Sequence, residues 1–186
     1  MGSEPPALAF YQGGPATAVL RLEHRFILRA LAVLERVGRR LAYERRMDEA
    51  AARELVELLR VLDRSHHAKE EDHLFPALRQ KRLPEASPIA VMLAEHQEGR
   101  DYLVTLGGFE PTATRAAAAL LCVTTLREHM RKEDESLFPA VDALLSPPEH
   151  AALARHYEEV EPRLVGPRAD PTVAERLARL EAAFPA

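Results

Sequence analysis

Two short stretches of the chain carry the same arrangement of imidazole and carboxylate. One reads His66-His67-Ala68-Lys69-Glu70-Glu71-Asp72-His73-Leu74-Phe75-Pro76; the other reads His129-Met130-Arg131-Lys132-Glu133-Asp134-Glu135-Ser136-Leu137-Phe138-Pro139. Both follow His-x3-Glu-x3-Leu-Phe-Pro. Glu23-His24 and Glu95-His96 stand upstream in matching contexts, after Val19 and Val91. Four residues make nearly one helical turn, so His66 and Glu70 share a face, as do His129 and Glu133. The shared face is the apolar one. Leu55, Leu59 and Leu62 lead up to His66, and Leu121, Cys122 and Leu126 lead up to His129. Leu20, Ile27, Leu28 and Leu31 flank His24, and Met92, Leu93 and Leu103 flank His96. Carboxylates and imidazoles facing an apolar interior cost several kcal/mol each unless they are partnered. Bound cations would partner all six at once.

Counting ligand bonds sharpens this expectation. If Glu70 and Glu133 each bridge two cations, the four histidines and two carboxylates give each cation four bonds. A shared oxo or hydroxo group would make five, leaving one position open on each octahedral ion. Nitrogen and oxygen donors without sulfur suit iron, manganese or zinc, and ligand type does not choose among them. The single cysteine, Cys122, cannot build a thiolate cluster or an internal disulfide. A ferritin-like site needs two Glu-x-x-His motifs. Glu70-x-x-His73 is one, but Glu133 is followed by Ser136. The His-Glu-x-x-His of a zincin does not occur.

These residues need helices to bring them together. Leu, Ala, Arg and Glu dominate, and β-branched residues do not alternate with polar ones, so the chain is expected to be all-α. Breaks at Pro and Gly place long helices over about 16–45, 48–81, 88–107 and 111–145. Asp48 and Ser87 are candidate N-caps, and shorter helices follow to about 160 and over about 172–183. Four long helices with short connectors cover their apolar stripes most economically as an up-down-up-down four-helix bundle. The expected organisation is an N-terminal arm over 1–14, the bundle over 15–146, and a C-terminal helical appendage over 147–186. The two hairpins of the bundle look like related copies, which suits a two-metal site. Each Leu-Phe-Pro is expected to bend or end its helix just past the ligands, with Phe75 and Phe138 closing one end of the core.

Composition removes several classes of function. With 25 Lys+Arg against 29 Asp+Glu, the net charge is −4, which gives no reason to expect nucleic acid as a partner. No apolar run approaches the ~20 residues of a membrane span. The N-terminal MGSEPPALAF lacks the basic start and apolar stretch of a secretory signal, so a soluble, cytoplasmic monomer or homodimer is expected.

The ordered pattern His24, His66-x3-Glu70, His96, His129-x3-Glu133 resembles the hemerythrin-like, or HHE cation-binding, family. HHAKEEDHLFP, AEHQEGR and HMRKEDESLFP are similar to its helix signatures, and the likeness covers about residues 15 to 160. The resemblance implies a non-haem di-iron centre in a four-helix bundle, open to manganese or zinc substitution. His24, His66, His96 and His129 would be terminal ligands, and Glu70 and Glu133 bridges. Oxygen-carrying members have a fifth histidine one turn beyond that of the third helix, where this chain has Arg100. They use an aspartate five residues after the fourth-helix histidine; Asp134 has that spacing, but Glu133 matches Glu70 in the repeat.

Loss of the fifth histidine favours turnover of O2, peroxide or nitric oxide in oxidative or nitrosative stress over reversible oxygen carriage. The alternatives are a sensor or store of oxygen or iron with a separate signalling partner, and an iron donor in repair of damaged iron centres. His67 falls one residue off the ligand face and is read as a neighbour of the site or a surface group, not a ligand. Glu23 and Glu95 would either orient a ligand histidine or form surface salt bridges, and Arg100 would hold an anion or pair with an acid. His73, His150 and His156 are read as solvated. Replacing His96 with Ala is expected to lower the metal content of purified protein markedly, as read by elemental analysis.

Overall fold

The computed structural model describes residues 14–44, 48–81, 88–164 and 172–185, with side chains of the segment before 172 described as far as Val160. Residues 1–13 of the expected arm, and Ser87, lie outside the described residues. Among the described residues the chain is all-helical and contains no strand. Helix α1 spans Thr17–Tyr43, α2 Glu49–Lys69, α3 Phe75–Gln80, α4 Ile89–Gly107, α5 Thr112–Lys132, α6 Phe138–Leu144, α7 Pro147–Leu164 and α8 Val173–Ala183. Asp48 caps α2, its carboxylate accepting from the Ala50 and Ala51 amides. Thr172 and Glu175 cap α8 reciprocally as a capping box.

The proline-bearing helices neither end nor break. Five residues of wider π-helical turn, Glu70–Leu74 and Glu133–Leu137, join α2 to α3 and α5 to α6. The Phe75 amide donates back to the Glu70 carbonyl, and Phe138 likewise to Glu133. Pro76 and Pro139 sit in the first turn after these segments, where the missing N–H matters least. The wide turn also relieves the clash each proline ring would make with the carbonyl one turn back.

α1 packs on α2 and α5, and α4 packs on α2 and α5, so the four long elements close a ring. α7 lies along α2 and its π turn, and α8 lies against α2 and α1. Two apolar clusters fill the bundle. One includes Ile27, Leu31, Leu34, Leu55, Leu59, Leu103 and Leu126. The other includes Leu20, Leu74, Phe75, Met92, Leu137, Phe138 and Tyr157. In sequence the four histidines fall at the change from one cluster to the other, which puts a polar layer between two dry ones. Leu28 and Leu121, expected inside, are 39% and 50% exposed. Neighbours one residue from a buried position on a helix turn by about 100°, and Ile27 and Cys122 take the inward places.

α1 and α5 approach closely at Gly38, where an added Cβ would stand 3.0 Å from the Ala119 Cβ and 3.1 Å from Leu120 Cγ. Gly38→Val overpacks this crossing and is expected to destabilise the protein by about 1–3 kcal/mol in urea melts.

Candidate metal centre

Four imidazoles and two carboxylates converge inside the bundle, one histidine from each of α1, α2, α4 and α5. His24, His66, His96 and His129 are 0–1% exposed, and Glu70 and Glu133 are fully buried. Nε2 of His24 faces Nε2 of His66 at 3.1 Å, and Nε2 of His96 faces Nε2 of His129 at 3.0 Å. The carboxylates link the pairs. Glu70 places Oε1 3.6 Å from His66 Nε2 and Oε2 3.4 Å from His96 Nε2. Glu133 places Oε2 3.3 Å from His24 Nε2 and Oε1 3.2 Å from His129 Nε2. One position is therefore walled by His24 and His66, the other by His96 and His129, and each receives one oxygen from each glutamate. Asp134, the other candidate bridge, instead faces His24 Nδ1.

None of the four glutamate oxygens has a hydrogen-bond partner. Buried carboxylate oxygens seldom go unpartnered. Adjacent ligands on a cation with ~2.1 Å bonds stand about 3 Å apart, which is the spacing found here. The residues present therefore fit a pair of cations.

Every Nδ1 is held from behind. Glu23 accepts from His66 at 3.0 Å, Glu95 from His129 at 3.0 Å, Asp134 from His24 at 3.1 Å and Glu71 from His96 at 2.7 Å. Each carboxylate in turn meets one cationic side chain: Lys69 on Glu23, Lys132 on Glu95, Arg21 on Asp134 and Arg100 on Glu71. A carboxylate on Nδ1 fixes the tautomer and turns the Nε2 lone pair inward. Phe138 and Phe75 stack on His24 and His96, with centroids 5.4 and 5.9 Å away.

The charges show the strain of this arrangement. Burial pushes the Glu70 carboxyl well above its ordinary range, and the Glu133 charge beside it adds to the effect. Burial acts on Glu133 in the same sense, but the His129 and His24 imidazoles facing it win and hold it well below that range. Burial lowers His24, yet its bond to Asp134 and the Glu133 carboxylate beside it prevail and raise it to about 9. His129 is also raised, whereas burial lowers His66 and His96. Each facing pair thus has one imidazole whose proton affinity is raised and one whose affinity is lowered.

Several neighbours settle on one of the places the sequence leaves open for them, and His150 departs from its expected one. Glu23 and Glu95 orient ligand-type histidines and do not form surface bridges. Arg100 pairs with acids, donating to Asp63 at 3.1 Å and Glu71 at 2.6 Å. His67 is 4% exposed, bonded to Asp63 and stacked on His96; burial pushes it down to about 3. His150, expected in solvent, is buried, and its Nδ1 accepts from the Ala16 amide at 3.1 Å. His156 is exposed and stacks on His73. Cys122 is buried and its thiol is pushed up to about 12, as suits an inert packing residue. Glu71, Lys69 and Lys132 escaped the sequence reading, although the repeat held the signal: Glu71 aligns with Asp134, and Lys69 with Lys132.

Together these features define a cation-binding four-helix bundle. The sequence profile of the hemerythrin HHE cation binding domain matches residues 16–141, and the chain belongs to that family. It is similar to uncharacterized proteins of Mycobacterium tuberculosis and Mycobacterium bovis, with 27% identity over 184 residues, covering 90% of this chain and 70% of each relative. No solved structure matches it significantly. Among the described residues no helix is long and apolar enough to cross a membrane.

The raised His24 gives a signed pH dependence. Its proton stabilises the metal-free fold fully below about pH 6.5, and that contribution is lost as pH rises through about 9. A cation must displace the same proton. Metal affinity from chelator competition is therefore expected to climb with pH through neutrality and level off near pH 9.

Proposed function

We propose that the chain holds two iron ions, one between His24 and His66 and one between His96 and His129, bridged by Glu70 and Glu133. In this reading the centre binds or reacts with O2, peroxide or nitric oxide. Manganese and zinc suit the same donors; zinc lacks the redox activity these small molecules need, and membership of the hemerythrin family favours iron over manganese. Such a pair would supply electrons and a place to bind to a small oxidant.

The chain's own residues prepare that position. Arg100 stands where a further histidine would sit, but its guanidinium is committed to Asp63 and Glu71, so it adds no ligand. Glu23, Glu71, Glu95 and Asp134 hold the imidazoles in one tautomer and one ring orientation. A cavity of about 20 Å³ lies beside His66, His67 and His129, walled elsewhere mainly by apolar side chains including Ile27, Leu62, Leu103 and Met130. It admits something about the size of one water molecule, which restricts the ligand to small species. The observation that carries the reading is the set of four buried glutamate oxygens that accept no hydrogen bond, each standing 3.2–3.6 Å from an imidazole nitrogen.

Elemental analysis with an absorption spectrum, followed by addition of peroxide or nitric oxide, tests it. Two irons per chain and spectral changes on addition are expected; a chain that takes up no iron, or loaded protein inert to both molecules, would refute the proposal. Steady-state consumption would mark an enzyme, and binding without consumption a sensor or store.

A further inference from the structure

Around His67 the two halves of the centre differ. Met130 takes its place in the second hairpin, and Leu126 takes the place of Asp63. The His67 ring lies flat on His96, with centroids 3.6 Å apart and planes 12° apart. Its Nδ1 stands 2.7 Å from Asp63 Oδ1, and the other Asp63 oxygen accepts from Arg100 Nε at 3.1 Å. A carboxylate held by a guanidinium only accepts, so the proton lies on Nδ1 and the other ring nitrogen, Nε2, presents a lone pair. A nitrogen of this ring lies within 4.8 Å of donor atoms of Glu70, His96 and His129.

Stacking decides what that lone pair can reach. A cation bound by His96 lies in the plane of the His96 ring, and the His67 ring runs nearly parallel at 3.6 Å. A metal–nitrogen bond is ~2.1 Å, so stacked rings cannot share one cation. The separation suits a hydrogen bond to a small molecule held beside the cation, and the cavity lined by Asp63, His66, His67 and His129 is space open to such a molecule. O2 and nitric oxide carry no proton to donate to a lone pair. Hydrogen peroxide does.

We propose that His67 Nε2 is a hydrogen-bond acceptor that selects a protic oxidant, hydrogen peroxide, over O2 and nitric oxide at the His96–His129 position. This rests on the reading of the centre as an iron pair. Asp63 and Arg100 act through His67 as positioning residues. A site built to bond a hydroxyl discriminates against molecules that lack one.

The test uses iron-loaded protein and two variants. His67→Phe keeps a flat ring on His96 and removes the nitrogen; Asp63→Asn keeps the shape and removes the charge that fixes the tautomer. Iron content, nitric oxide affinity from absorbance titration and the second-order rate with hydrogen peroxide are measured for each. His67→Phe is expected to keep both irons and nitric oxide affinity within about twofold while the peroxide rate falls about tenfold, as for one lost hydrogen bond. Asp63→Asn should show a smaller fall in the same direction. An unchanged peroxide rate, or equal losses for both molecules, would overturn the selection role. Loss of one iron in His67→Phe would overturn it too, by making His67 a ligand. His96→Ala separates the two levels: if that variant also keeps both irons, the centre itself has been misassigned.

Discussion

Two ionisable carboxyl groups lie fully buried with no hydrogen bond to any of their four oxygens, and the surrounding architecture answers to that fact. Each such group left uncompensated costs several kcal/mol, a large share of what a domain this size has to spare. The compensation is built in layers. Imidazole nitrogens surround the oxygens, acids hold the imidazoles, and lysine or arginine holds each acid. The innermost layer is short of positive charge in the metal-free chain, which is why its proton affinities split so widely between neighbours. Cation binding removes the shortage and thereby couples the centre to the stability of the whole bundle.

The bundle supplies what this requires: four helix axes held at fixed spacing. Close approach at Gly38 brings α1 and α5 together, and the two apolar clusters clamp the polar layer above and below. The layer is reached through side chains and not through loops, so the connectors between helices can vary without disturbing it. α7 and α8 lie along α2, the helix that carries both His66 and His67.

Much of this is legible in the sequence, for definable reasons. His24, His66, Glu70, His96, His129 and Glu133 stand out because polar residues at helical spacing interrupt apolar stripes, and because the pattern occurs twice. The same ordered motif lies within the residues that match the family, 16–141. The acids behind the histidines were harder to see. Glu23 and Glu95 directly precede histidines, which on a helix points them elsewhere; they reach the histidine of the partner helix in their own hairpin. Glu71 and Asp134 make the longer crossing between hairpins, to His96 and His24. Such pairings depend on how helices are rotated about their axes, which periodicity alone does not determine. The same limit explains His67 and His150, whose burial comes from neighbours distant in sequence, and Leu28 and Leu121, whose exposure follows from a small error of phase.

The π turns at Glu70–Leu74 and Glu133–Leu137 carry a consequence of their own. A wider turn holds roughly one residue more than an ordinary one, so everything downstream is offset by about 100° from where a regular helix would aim it. Upstream residues are phased to the centre, and downstream residues such as Phe75 and Phe138 to the apolar cluster beyond it. One helix thus serves two targets that a uniform spiral could not address together. The two copies also act as vernier marks: a single-residue deletion within either would restore regular winding and turn one target out of reach, whereas substitutions on the outer surface leave the phasing intact.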